Sequence, residues 1–311
     1  MGTPSRFGQI QADAFLGSAN DNSAFGKIWY VDGTNGADGN SGLAPDEAYS
    51  TIGQAITSAV ATRGDTVVIY PGTYTVTSAL APKAQMTFRA AIVVPQAPSV
   101  TIGGAITNLV TVDVSGVRFI GVEFKATAGV YDLVKLADTS AITGGVLFED
   151  CVFNGNDTTA VGAFQNGVCG IWAADGTNAV TGLVVRRCTF RDLGKTQIEI
   201  GVKGMPYAKI EDNTFSIDTP SGIGIFLDDT GAVGTGKGYA IRQNEFLGNN
   251  GTTSTTVGIV IRAATIYTTA IGIIRDNFFS YCATAPITAQ KVDGIINNFG
   301  GAASGTKVSD L

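Results

Sequence analysis

Through most of the chain, short apolar stretches alternate with polar turns, and one composite segment keeps returning. It reads as an apolar strand, a polar pair, a small residue or Asn, and then Phe: RFIGVEF, LFEDCVF, VVRRCTF, KIEDNTF, AIRQNEF, IIRDNFF and GIINNF. The closing phenylalanines are Phe124, Phe153, Phe190, Phe215, Phe246, Phe279 and Phe299, at intervals of 20 to 37 residues. A β-rich repeat of irregular period, with no helical segment between copies, describes a β-solenoid whose loops differ in length.

Aligning the copies gives columns. Five residues before each Phe stand Phe119, Phe148, Val185, Ile210, Ile241 and Ile274, an inward column. Two residues before stand Val122, Cys151, Cys188, Asn213, Asn244, Asn277 and Asn297. Strands stacked about 4.8 Å apart bring identical side chains into ladders. Asn tolerates left-handed backbone and hydrogen-bonds its copies, so it is expected at the sharp bend. Cys151 and Cys188 share that rung and read as small buried hydrophobes. Four residues before Phe run Glu149, Arg186, Glu211, Arg242 and Arg275, and three before run Asp150, Arg187, Asp212, Gln243 and Asp276. Signs that largely alternate from coil to coil make these exposed salt-bridge ladders.

A second strand follows each Phe. Aligning Ile171, Ile198, Ile223 and Ile259 leaves Trp172, Glu199, Gly224 and Val260 on the alternate face. Next come Ala174, Gly201, Phe226 and Arg262, then Lys203, Asp228 and Ala264. One face therefore carries two aromatics and several charges on neighbouring coils.

The N-terminal region differs. Residues 1–27 are glycine-rich and polar, without a period, and read as an arm. Ile52, Ala55, Ile56, Ala59 and Val60 recur at helical spacing, with Ser50 or Thr51 as cap and Gly64 as stop. Such a helix would cover the open edge of the first coil. The expected organisation is an arm (1–27), a β-helix (28–300, with 28–75 as cap and first coil) and a tail (301–311).

Composition narrows the chemistry. Glycine is 41 of 311 residues and only 15% are charged, against roughly 7% and 25% in ordinary proteins. A net charge of −6 argues against a nucleic-acid partner. No apolar run reaches the length that spans a bilayer, so no membrane insertion is expected, and the first residues lack a signal-peptide pattern. Histidine is absent, which removes imidazole-based triads and most catalytic zinc sites. The four cysteines show no metal or disulfide spacing. No cofactor is expected.

The run Tyr30-Val31-Asp32-Gly33, Asn35-Gly36, Gly39-Asn40-Ser41-Gly42, Thr51-Ile52, Ala55-Ile56, Gly64-Asp65-Thr66-Val67 and Pro71-Gly72-Thr73-Tyr74 resembles the start of right-handed parallel β-helix proteins of the pectin-lyase-like superfamily. The downstream coils resemble the same family, over roughly residues 28–299. The resemblance implies an all-β, single-stranded right-handed parallel β-helix with a short capping helix. The superfamily holds lyases, polygalacturonases, epimerases, phage tailspikes and noncatalytic surface proteins. This sequence departs from the marked catalytic branches. Of the polygalacturonase-like elements only Asp228-Asp229 has a counterpart, and no WIDH-like or DPHE-like segment is present.

A glycosidase needs two carboxylates about 5–9.5 Å apart. Glu199 and Asp228, the candidate pair, lie one coil and four residues apart in this alignment, or about 13 Å along the strand. Trp172 and Phe226 are candidate stacking platforms for sugar rings, with Glu199 and Arg262 to bind hydroxyls. Asp32 and Asp38, in an Asn/Gly-rich loop, are weak calcium candidates. By resemblance, the absent histidine, the β-helix and the arm together look like a bacteriophage virion protein. That implies a capsid decoration or receptor-binding spike, a homotrimer joined by its arm to capsid or tail proteins and contacting host surface polysaccharide. The alternatives are a tailspike-type depolymerase and an exported protein of the bacterial surface.

Overall fold

The computed structural model describes residues 25–127, 132–155, 168–173, 178–194, 196–201, 206–217, 222–229, 238–248, 256–263, 272–282, 286–289 and 294–301. The arm's first 24 residues and the tail after 301 lie outside them. Three parallel sheets form one solenoid. Sheet A has ten strands from Ile28–Val31 to Gly294–Ile296, and sheet B has nine from Gly72–Thr75 to Phe299–Gly301. Sheet C has seven, from Asn108–Val112 to Ile287–Ala289. Each full coil adds one strand to A, then B, then C, and parallel crossovers of this kind are right-handed. Nine steps of about 4.8 Å give an axis of about 43 Å.

The repeat explains the packing. The column five before Phe faces inward on sheet A, with Phe119 paired to Phe148 and Phe148 to Val185. The Phe column faces inward on sheet B. Rings of Phe124, Phe153, Phe190, Phe215, Phe246 and Phe279 stack at centroid distances of 5.2, 4.5, 4.8, 4.7 and 4.9 Å. These are offset stacks, each contributing about 0.5–1.5 kcal/mol beyond area burial.

The corner between sheets A and B divides its work differently from the expectation. The left-handed residue is the one before the Asn: Asp150, Arg187, Asp212, Gln243, Asp276 and Asn297, at φ of 51–57°. Apart from Asp150, which is buried, its side chain is exposed, so its chemistry is free to vary. The Asn after it is buried. Asn213 donates its backbone N–H and Nδ2 to Asn244 Oδ1 at 3.1 and 2.9 Å, and Asn244 does the same to Asn277. The ladder ends on Asn298, not Asn297: Asn277 donates to Asn298 Oδ1 at 2.9 Å. In the last coil Phe299 pairs with Phe278 and is 54% exposed, while Gly300 takes the inward place beside Phe279. Two consecutive asparagines allow either alignment, and only hydrogen bonding to Asn277 selects one. Cys151 and Cys188 share the buried rung position as free thiols. Burial pushes the Cys188 thiol up, and that of Cys282 to about 12.

Part of the charged columns pairs as expected. Arg186 lies 3.0 Å from Glu149, Arg187 lies 2.9 Å from Asp150, and Arg242 lies 2.6 Å from Glu211. The capping helix spans Ile52–Ser58 and buries Ile52, Ala55 and Ile56 against the first coil, with the Thr51 hydroxyl accepting from the Gln54 N–H. It stops well short of Gly64, and Val60 is exposed. The cause is Asp65, whose buried carboxylate takes the Val60 and Lys27 N–H groups, the Trp29 Nε1–H and the Arg63 guanidinium. Burial raises the Asp65 carboxyl, and those donors outweigh it and hold it well below the usual range.

Candidate functional site

The outward face of sheet C carries one continuous row across the coils: Thr111, Lys135, Trp172, Glu199, Phe226, Val260 and Thr288. Strand alternation puts these residues outside while Val110, Val134, Ile171, Ile198, Ile225 and Ile259 fill the core. Trp172, Glu199 and Phe226 are half-buried neighbours in register. Lys135 Nζ sits 4.9 Å from the Trp172 ring centroid and 2.5 Å from the Asp138 carboxylate. The ammonium is thus fixed over the π-face by a second charge.

This register differs by two residues from the sequence alignment. Ile225, not Ile223, pairs with Ile198 and Ile259. Two isoleucines in GIGIF, each preceded by a glycine, fit the inward column equally well, and the strand pairing selects Ile225. Gly170, Gly224 and Gly258 share one buried row against the phenylalanine stack. A Cβ on Gly224 would lie 2.7 Å from the Phe246 ring, and one on Gly258 would lie 2.3 Å from the Phe279 ring. Gly224 is therefore not on the outer face, and Phe226 moves beside Glu199. Asp228 pairs with Arg262, and Asp229 with Ala263. Glu199 and Asp228 become one strand and two residues apart, about 8 Å between Cα atoms instead of about 13 Å along the strand.

Asp32 and Asp38 serve local structure. Asp32 accepts from Thr34 N, Asn35 N and Asn35 Nδ2, and Asp38 accepts from the backbone and hydroxyls of Ser50 and Thr51. Among the described residues no group of three or more His, Cys, Asp or Glu side chains is placed to hold a metal ion. No helix of the described residues is long and apolar enough to cross a membrane.

A second polar cluster, on sheet B, escaped the sequence reading. Glu123 accepts from Thr101 Oγ1 at 2.8 Å, Asn154 Nδ2 at 2.9 Å and Arg191 Nη2 at 3.2 Å. Burial raises its carboxyl, but these partners win and hold it below the ordinary glutamate value. Glu123 precedes Phe124 in the repeat and was visible as a carboxylate in that column. Its partner Thr101 belongs to a coil without the repeat, so the cluster was not.

A mutant of the PL6 family alginate lyase AlyGC superposes with a TM-score of 0.56 at 14% identity, covering 90% of this chain and 39% of the lyase. The pectin methylesterase of Aspergillus niger gives 0.53 at 13% identity, covering 89% and 86%. The structural relatives are pectin-lyase-like parallel β-helix proteins. At these identities the likeness is one of fold. In sequence, 58 residues are 41% identical to alpha-1,3-galactosidase A of Akkermansia muciniphila, spanning 19% of this chain and 10% of that enzyme. No protein-family model matches the chain.

Proposed function

We propose that this protein is a glycan-binding β-helix that meets a polysaccharide along sheet C, as a noncatalytic adhesive component of a phage particle. The observation that carries the glycan reading is the Lys135–Trp172–Glu199–Phe226 row. Trp172 and Phe226 stand two rungs apart, about 9.6 Å, along the solenoid axis. Each offers an apolar face to a sugar ring, and Glu199 between them accepts hydroxyl protons. Structural relatives that are a polysaccharide lyase and a pectin esterase favour a polymeric carbohydrate. Attachment through residues 1–27 to capsid or tail proteins, and a homotrimeric assembly, complete the proposal.

The test is binding of host exopolysaccharide to the full chain. Trp172→Ala is expected to weaken binding about tenfold, the equivalent of about 1.4 kcal/mol; unchanged affinity would remove the sheet C face from the reading. Immunogold labelling of lysate particles tests the location, and label on no particle would turn the assignment to an exported bacterial surface protein. A second reading, a depolymerase, is favoured by the register that brings Asp228 to within about 8 Å of Glu199. Reducing-end release that disappears in both Glu199→Gln and Asp228→Asn would establish it.

A further inference from the structure

The capping helix and the first strand of sheet B line a half-open cavity of about 270 Å³ at the N-terminal end of the solenoid, remote from the sheet C row in sequence. Gly72–Thr75 is the edge strand of sheet B. Gly72 and Val76 donate their N–H groups inward, to Ser99 and Gly103. In a parallel ladder alternate residues turn to opposite sides, so the backbone groups of Thr73 and Thr75 face the open edge. Six hydroxyl-bearing residues, Ser50, Thr51, Thr73, Thr75, Thr77 and Ser78, line the cavity, with Ile52, Val76, Leu80 and the Tyr74 ring as its apolar part.

No lining residue is charged. Behind the wall, Asp38 takes the Ser50 hydroxyl at 2.9 Å and the Thr51 hydroxyl at 2.8 Å. Those protons are committed, which leaves the Ser50 oxygen as an acceptor toward the cavity. Slight burial raises the Asp38 carboxyl, but the bonds from Thr51 and Ser50 outweigh it and keep the group below its usual value. Asp32, lowered by Asn35 and Thr34, immediately precedes Gly33, a lining residue. Two fixed anions with no cation in the wall disfavour an anionic ligand and reward one rich in O–H donors. The volume lies below the range of about 300–1,000 Å³ typical for drug-sized molecules, so it suits one ring, not a chain.

We infer that this cavity is a second binding site, for a single neutral pyranose. It stands whether or not sheet C binds polysaccharide. The test is saturation-transfer-difference NMR on the full chain with the methyl glycosides of glucose, galactose and mannose, and glucuronate as the charged comparator. Gly53 lines the cavity, and a Cβ built on it meets nothing within 4 Å. Gly53→Leu therefore fills the space at a helical position that favours the larger residue. At least one neutral glycoside should bind, with a tenfold or greater loss in Gly53→Leu at undiminished melting temperature and no change in Trp172→Ala. If Gly53→Leu lowers the melting temperature, Ser50→Ala with Thr77→Val makes the same comparison without added bulk. Binding by no neutral glycoside, equal binding of glucuronate, retention in the cavity variants, or loss in Trp172→Ala instead, each overturns the inference.

Discussion

Asn244 shows how much one side chain can hold. Its Oδ1 takes two donors from Asn213, and its Nδ2 donates to Ile210 O at 2.9 Å and to Asn277 Oδ1 at 3.0 Å. Alanine there strands buried N–H and C=O groups, each costing about 1–3 kcal/mol. Asn244→Ala should lose about 3 kcal/mol in urea titration, whereas Arg242→Ala, in a half-buried surface pair with Glu211, should lose only about 1 kcal/mol. Asp65 makes the complementary point about charge. Its folded-state value lies below the ordinary aspartate value of about 3.9. The stability it contributes is thus complete above about pH 4 and is lost as pH falls through the lower folded value. Asp65→Asn should cost about 3 kcal/mol at neutral pH and flatten the loss of melting temperature between pH 4 and pH 2. Circular dichroism melts across that range check both effects. Nothing in the sequence around GDT distinguishes Asp65 from a turn aspartate; its four donors come together only when the chain closes the first coil.

Strand register is where pattern and packing part company. Hydrophobic periodicity placed the strands and their inward columns, because a period of two leaves few choices when both flanking strands are apolar. It did not choose between Ile223 and Ile225, which have the same parity. In the register the fold adopts, Gly224 lies against Phe246, a residue 22 positions later across the core, where a Cβ would come within 2.7 Å of the ring. Gly224→Ala should therefore destabilise by about 2 kcal/mol in urea without changing the far-ultraviolet spectrum. The separation of Glu199 and Asp228, the position of Phe226 and the make-up of the outer row all follow from this register. The capping helix behaves similarly: its apolar spacing is legible, and its end is set by the Asp65 carboxylate taking the Val60 N–H.

Through the described solenoid each rung packs mainly on its neighbours, the Glu123–Arg191 pair that skips one rung excepted, so stability is close to a sum of rung and interface contributions. The two ends are unequal. The first coil is closed by the helix, the Trp29–Tyr49 stack at 6.0 Å and the Asp65 network. The last described rung has Gly300 where the six before it have Phe, and Phe278, Ile296 and Phe299 near that end are exposed. Hydrogen exchange should accordingly be faster in Gly294–Ile296 and Phe299–Gly301 than in Val117–Ile120 or Val146–Glu149. Uniform protection from end to end would contradict the additive picture.

The solenoid, its inward columns, the cysteine rungs and the capping helix are determined by residue pattern, because a parallel coil repeats its environment every turn and so repeats its residue types. The tertiary structure alone decided which of two equivalent registers the Ile223–Asp229 strand takes, which asparagine ends the ladder, and which polar groups from distant coils meet. Those outcomes depend on contacts between residues that no periodicity relates: Gly224 with Phe246, Asn277 with Asn298, Glu123 with Thr101 and Arg191, and Thr73 and Thr75 across the cavity from Ser50.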